Sequence, residues 1–578
     1  MFEFEGRRLT GPNFFALHPL AIIDAEIPGN QVDSIVKAWL ETVKVLYTKL
    51  GRAVPKTGYR IHEKGQSLYF SAAIDALYSA IDLGEFALEV AAGERHIDDL
   101  LSTDSEQEVI PMVDYLASLF EDEARPELIV LQNRAEEEKV PFLWCDDFVS
   151  LGFGRYAQTW EREHLPDLND LDWSIFKRIP VAFITGTNGK STTTRLCSQI
   201  LKGAGHTVGF SSTDGIWAGD DCLDAGDYSG PGGAREVLRN TRVTTAILEV
   251  ARGGLLRRGL GATGADVALI TNVAEDHLGE YGVNTLDELV EAKFIVRKSL
   301  SPVGKLVLNA DDIGCRNYAA NLEHDIIWFA LDKTNPTLKA HLKCGEPAFF
   351  VEDGKIQFAD GEGQTLLCSV DEVPITFSGA ARHNIANALA ASAVCYQLGV
   401  TPELIRLGLK SFESNRENNP GRGNLIKAGK VSIMVDFAHN PHGLNAVVDT
   451  LLQLPAKRRL VMMGHAGDRS NKDIQALTKV ALRLLPERIV LFELEEYLRG
   501  RALGEISEIM FSTLISEGVD KRCISLASSP GTGAKDALDW AKDGDFLLLL
   551  ALGDRERVFD EIDNWGQSNN RANKDTSI

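Results

Sequence analysis

The sequence predicts a multidomain α/β protein built on parallel sheets, and three observations carry that reading. Its 578 residues exceed what one hydrophobic core organises, because domains run to roughly 100–200 residues, so three or four are expected. From Val181 onward, short apolar runs rich in β-branched residues alternate with stretches of helical periodicity, the pattern of strands joined by crossover helices. Apolar residues make up 44% and charged residues 25%, which is ordinary globular usage.

Within the first 170 residues the pattern is mixed rather than alternating. AIIDAEI (21–27) reads as a strand, 33–50, 71–93 and 109–121 as helices, and ELIVLQ (127–132) and PFLWC (141–145) as strands. The acidic, proline-containing stretch 162–173 reads as a linker. A parallel α/β domain then spans 171–415 and another 416–565, and the polar end 566–578 reads as a disordered tail.

Charge and composition exclude several classes. A formal charge of −23 without a basic run speaks against an extended nucleic-acid surface, which needs clustered Lys and Arg. No uncharged apolar run approaches the ~18 residues that span a bilayer, and the N-terminus lacks the order of a secretory signal. Eight cysteines without a C-x-x-C pair suit reduced thiols and a cytoplasmic protein.

The chemistry is concentrated at three strand exits. VAFIT (181–185) is followed by Gly186, Thr187, Asn188, Gly189, Lys190, Ser191 and Thr192, and then by Leu196, Ile200 and Leu201 at helical spacing. A glycine loop between strand and helix points backbone N–H groups and a helix N-terminus at one spot, which suits a phosphate chain. Lys190 neutralises phosphate oxygens there, and Ser191 or Thr192 reaches a magnesium ion. TTAILE ends on Glu249, and ligands of open α/β sheets sit at such carboxyl ends, where a carboxylate holds magnesium. The run 265–270 exits into Asn272, Asp276 and His277.

These segments, with Lys293 in LDELVEAKFIV, LVLNADD (306–312), ARHNIANALAAS (381–392), NPGRGN (419–424), VDFAHNPHGLNA (435–446) and GHAGDR (464–469), resemble in order the motifs of Mur ligases. Within that family the chain is most similar to the Mur-like part of cyanophycin synthetases. The N-terminal stretches LTGPNFF (9–15) and VPFLWCDDFVSLGFGRYAQ (140–158) agree, whereas the ATP-grasp domain of those enzymes is missing between them and residue 181.

The resemblance implies a three-domain architecture: a mixed α/β N-terminal domain, a central P-loop ATPase domain and a Rossmann-like C-terminal domain that closes over the site. It implies an ATP- and Mg2+-dependent ligase that phosphorylates a carboxylate and lets an amine attack the acyl phosphate. Thr192 and Glu249 then hold one magnesium ion, His277 helps with a second, and Lys293 matches a lysine carried as a carbamate, with an ordinary helix-surface lysine as the plain alternative. Asn384, Asn387 and Arg422 match nucleotide contacts, as do Asp436, His439 and Asn440, while Asp468 and Arg469 face the amine.

Arg252 and Arg257 suit an anionic carboxylate acceptor, a small molecule or peptide. The implied pair is arginine and an aspartyl side chain, and the resemblance also implies a homo-oligomer. The chain has LALGDRER (550–557) where cell-wall members have a GKGHE-like element, which leaves the amine open. A catalytically idle scaffold, a nucleotide-dependent switch or kinase, and polyglutamate-type synthases remain as other readings.

Overall fold

The structure is a computed structural model that describes residues 2–102 and 109–575. Its contacts divide into two compact units: 1–329 with 335–348 and 390–404, and 330–334 with 349–389 and 405–578.

The first unit opens with an antiparallel sheet in the order Phe4–Leu9, Leu20–Ala25, Gly65–Ser71, Thr57–His62. Helices Val32–Lys49 and Leu77–Ala91 cover one face, where Trp39, Val43, Leu46 and Phe86 share a core with the strand residue Phe70. Trp39 donates its indole N–H to the Gly84 carbonyl (2.9 Å), as a buried indole requires.

ELIVLQ is helical, part of Pro126–Glu137, which corrects its reading as a strand. Pro126 occupies the first turn, where its missing N–H costs nothing. Leu128, Leu131 and Ala135 are its buried residues, a helical spacing that the β-rich composition masked. The helix expected over 71–93 is shorter, because 65–71 belongs to a strand. The stretch 162–173 contains only short 3-10 turns, yet Leu165, Leu168, Leu171 and Trp173 pack against Trp144, Val149 and Phe176.

The strand order in the large sheet of this unit runs Asp221–Asp224, Gly215–Ala218, Val208–Ser212, Thr245–Glu249, Val181–Thr185, Ala265–Ile270, Leu300–Asn309, Ile326–Ala330. From Val208–Ser212 onward every pairing is parallel, and the first two strands add an antiparallel edge. Val181–Thr185 is buried throughout, as expected of a central strand covered on both faces.

The second unit contains a six-stranded sheet in the order Asn424–Ala428, Val431–Asp436, Phe546–Leu550, Arg459–Met463, Arg488–Phe492, Ile524–Ala527, parallel except for its first pair. Alternate residues feed two cores: Met434 faces helices Pro441–Leu452 and Asn471–Leu482, while Ile433 and Val435 face Pro530–Trp540. The last helix, Arg555–Asp575, extends through most of the stretch read as a disordered tail. That stretch has no proline and a single glycine, Gly566, so nothing in it stops a helix already anchored by Val558, Phe559 and Ile562. The tail's remaining residues, 576–578, lie outside the described residues.

Candidate functional site

In the first unit the predicted loop leaves the sheet where Val181–Thr185 ends between two parallel neighbours. Gly186 has φ +146°, and a Cβ there would lie 1.9 Å from the Thr271 hydroxyl oxygen; only glycine fits. Gly189, at φ +86°, turns the chain into helix Lys190–Gly203.

The loop is stitched to the exit of the Ala265–Ile270 strand. Thr187 N–H donates to the Asn272 carbonyl (2.9 Å) and Asn188 N–H to Asn272 Oδ1 (3.0 Å). In return Thr271 Oγ1 and Asn272 Nδ2 donate to the Asn188 carbonyl at 2.6 and 3.0 Å. The Lys190 ammonium folds back onto the carbonyls of Gly186 (3.1 Å) and Thr187 (3.0 Å). Ser191 and Thr192 are buried in the first helical turn, with Ser191 Oγ 3.2 Å from Thr213 Oγ1. A helix N-terminus with a lysine beside it attracts anions.

Glu249 is 1% exposed and pairs in register with Ile184, two residues before Gly186. The carboxylate and the loop therefore occupy the same end of adjacent strands. His277 has left-handed backbone, φ +53°, and its Nε2 lies 4.0 Å from Asp276 Oδ1. Lys293, at the end of helix Leu286–Lys293, is buried, so it is not a helix-surface lysine. Burial pushes its ammonium down to about 7, helped by the nearby charges of Lys190 and Arg252 and opposed by Asp276. These charges thus share one neighbourhood. Arg252 is buried and ion-paired to Glu280, whereas Arg257 is exposed.

In the second unit, several predicted residues make local bonds. Asn384 donates to the Ile375 carbonyl (2.9 Å) and Asn387 to Asn384 Oδ1 (3.0 Å). Arg422 lies over the Phe437 ring, 4.4 Å from its centroid. The Asp436 carboxylate accepts from Ala438 N–H (2.7 Å), and burial pushes it up to about 6 against the pull of Arg422. His439 Nδ1 is 3.1 Å from the Phe437 carbonyl. Asn440 caps helix Pro441–Leu452 by accepting from Gly443 N–H (2.8 Å). Arg469 donates to Asp468 (2.8 Å), and Arg501 donates to the carbonyls of Gly467 and Arg469 at 3.0 and 2.6 Å.

Further contributors were not singled out from the sequence, although Asp312 and His465 lie within two of the quoted motifs. Arg195, on the loop's own helix, pairs with Asp214 at 3.4 Å, both buried. Asp312, the last residue of LVLNADD, accepts from Val273 N–H (2.7 Å) and caps its helix through Cys315 N–H (2.8 Å). Buried His465 sets Nε2 3.0 Å from the His439 carbonyl. Arg60 bonds residues more than 220 positions away.

A strand, a glycine loop with an in-line lysine, a helix and a buried carboxylate on the next strand define a phosphate-binding α/β protein. The Mur ligase middle domain model matches residues 184–395, and the model of the Mur ligase glutamate ligase domain matches residues 421–553. Together they cover more than half of the chain, which belongs to the Mur ligase family.

The chain is 37% identical to the cyanophycin synthetase of Geminocystis herdmanii over 362 residues, 63% of this chain and 40% of that protein. It therefore spans well under half the length of that relative. It is 26% identical to the UDP-N-acetylmuramoyl-L-alanyl-D-glutamate--2,6-diaminopimelate ligase of Chlamydia caviae over 387 residues, 65% of this chain and 74% of that protein. Its fold resembles that of E. coli FolC in complex with DHPP and ADP, at 21% identity, 67% of this chain, 89% of that chain and a TM-score of 0.51.

Proposed function

We propose that the protein is an ATP-dependent ligase that joins a carboxylate to an amine through an acyl phosphate. The observation that carries this reading is the convergence of the Gly186–Thr192 loop, buried Glu249 and buried Lys293 at one end of one sheet. A carboxylate is a poor electrophile, and phosphorylating it requires charge neutralisation and alignment. A carboxylate oxygen attacks the γ-phosphorus and ADP leaves. The amine nitrogen then attacks the acyl carbon, loses a proton and expels phosphate, giving an amide.

The donor set fits both nucleotide and magnesium. Loop N–H groups and Lys190 suit phosphate, and the hydroxyls of Ser191 and Thr192 with the Glu249 carboxylate are hard oxygen donors. Bound there, Mg2+ would neutralise the charge that develops on the phosphates. His277 would help hold a second ion, and Lys293, with its depressed ammonium, suits a carbamate, since the neutral amine is the form that adds carbon dioxide. Asn384, Asn387, Arg422, Asp436, His439 and Asn440 are nucleotide contacts in this reading, and Asp468 and Arg469 contact the amine.

For the substrates we favour arginine joined to an aspartyl side-chain carboxylate, with Arg252 and Arg257 on the acceptor side. The cyanophycin synthetase similarity supports this choice, and cytoplasmic residence accords with a supply of ATP and with eight free cysteines.

The test is phosphate release with ATP and Mg2+ across a grid of carboxylate acceptors, including β-aspartyl peptides, against amino acids and polyamines. Release that requires one acceptor and one amine, with a condensed product of the right mass, is expected. ADP formation without condensation would overturn the ligase in favour of a kinase or switch, and bound nucleotide without any turnover would point to a scaffold.

A further inference from the structure

The loop between Asp276 and helix Leu286–Lys293 is held by a part of the chain that precedes the Mur ligase region altogether. Arg60, on strand Thr57–His62, donates Nη1 to the Gly282 carbonyl and Nη2 to Glu288 Oε1, each at 2.6 Å. Lys64, at the turn of the same hairpin, donates to the Gly279 carbonyl at 3.0 Å. The other oxygen of Glu288 accepts from the N–H groups of Asn284 (2.7 Å) and Thr285 (3.0 Å) and completes a capping box with Thr285. One carboxylate thus ties together the hairpin, the end of the loop and the helix that ends in Lys293.

This loop needs holding from outside. His277 and Tyr281 both have left-handed backbone, φ +53° and +52°, a conformation that costs a non-glycine residue about 1 kcal/mol or more and persists only when its surroundings impose it. The Arg60 and Glu288 side chains are 19% and 25% exposed, so this contact is better shielded than a surface ion pair. Gly282 is the point of approach: a Cβ there would lie 2.7 Å from the His62 ring and 3.0 Å from Arg60 Nη1.

We propose that the N-terminal hairpin 57–71 braces the strand-exit loop 276–288, and that Arg60 is a positioning residue that sets Asp276 and His277 for a divalent cation at the nucleotide. The cation part rests on the reading under Proposed function, whereas the brace does not.

The test compares Arg60→Ala, Arg60→Lys and Lys64→Ala with the full-length protein in two readouts. Mn2+ affinity is measured by electron paramagnetic resonance with β,γ-imido-ATP bound, and amide exchange is followed across 276–288. Arg60→Ala should weaken Mn2+ binding about tenfold, as loss of partners behind a metal ligand does. It should also speed exchange in 276–288 while leaving residues 186–192 protected as in wild type. Arg60→Lys should recover part of both effects, since an ammonium keeps the contact with Glu288 but lacks the forked geometry. Wild-type exchange in Arg60→Ala would overturn the brace, and faster exchange with unchanged Mn2+ affinity would overturn the positioning role. Failure of the wild type itself to bind Mn2+ with the nucleotide would overturn the metal reading, and the exchange comparison would still decide the brace.

Discussion

The loop region of the first unit and the motif-bearing region of the second are built on different plans. Around Gly186–Thr192 much of the holding comes from the neighbouring strands: Thr271 and Asn272 bond the loop backbone, and an adjacent strand delivers Glu249, while Thr187 and Lys190 add bonds of their own. In the second unit the motif residues do the holding themselves. Asn440 caps a helix, Asn384 ties down the Ile375 carbonyl, and Asp468 pairs with Arg469. The loop's shape is therefore secured largely by backbone bonds to the next strand exit, whereas in the second region the motif side chains are themselves the scaffold.

The contrast predicts opposite signatures, beginning with the largest effect. Lys190→Ala should reduce ATP turnover on the order of 100-fold or more and leave the thermal midpoint near wild type; a lowered midpoint with turnover intact would break the comparison. Glu249→Gln should raise the Mg2+ concentration for half-maximal turnover about tenfold or more, read from a magnesium titration. With ¹³C-bicarbonate, a carbamate resonance is expected near neutral pH and should vanish in Lys293→Arg, because an ammonium lowered to about 7 leaves a large neutral fraction.

Asn440→Ala should lose about 1 kcal/mol of stability with its cap, measured by denaturant melts, and Asn440→Asp should restore it. Nucleotide affinity lost in Asn440→Asp at unchanged stability would separate ligand contact from capping.

An effect confined to acidic pH concerns Asp436. Its carboxyl, raised from 3.8 to about 6 in the folded state, binds a proton more tightly folded than unfolded. Stability from this group is therefore full below the ordinary value and falls as pH rises through about 6. Asp436→Asn should flatten that slope in denaturation followed between pH 4 and 7.

The loop was legible because a strand, two glycines, a lysine and a helix are adjacent in sequence and each constrains the next. Glu249 was legible for a similar reason: its place at a strand end follows from the apolar run before it. Arg60 was not, because its partners Gly282 and Glu288 are set by how the N-terminal sheet meets the central one. Nor could helical spacing alone show that Lys293 faces inward. ELIVLQ misled because Ile, Val and Leu serve strands and buried helices alike, and Pro126 just before it was the overlooked helix start.

Gly186 and Thr271 have an evolutionary consequence. The Thr271 hydroxyl fills the space a side chain at 186 would need, and it also holds the Asn188 carbonyl. A mutation that enlarges residue 186 collides at once, and one that first trims residue 271 takes one bond from the Asn188 carbonyl and leaves that of Asn272 Nδ2. The two positions therefore constrain each other: room for a side chain at 186 comes only with the loss of a bond that holds the loop.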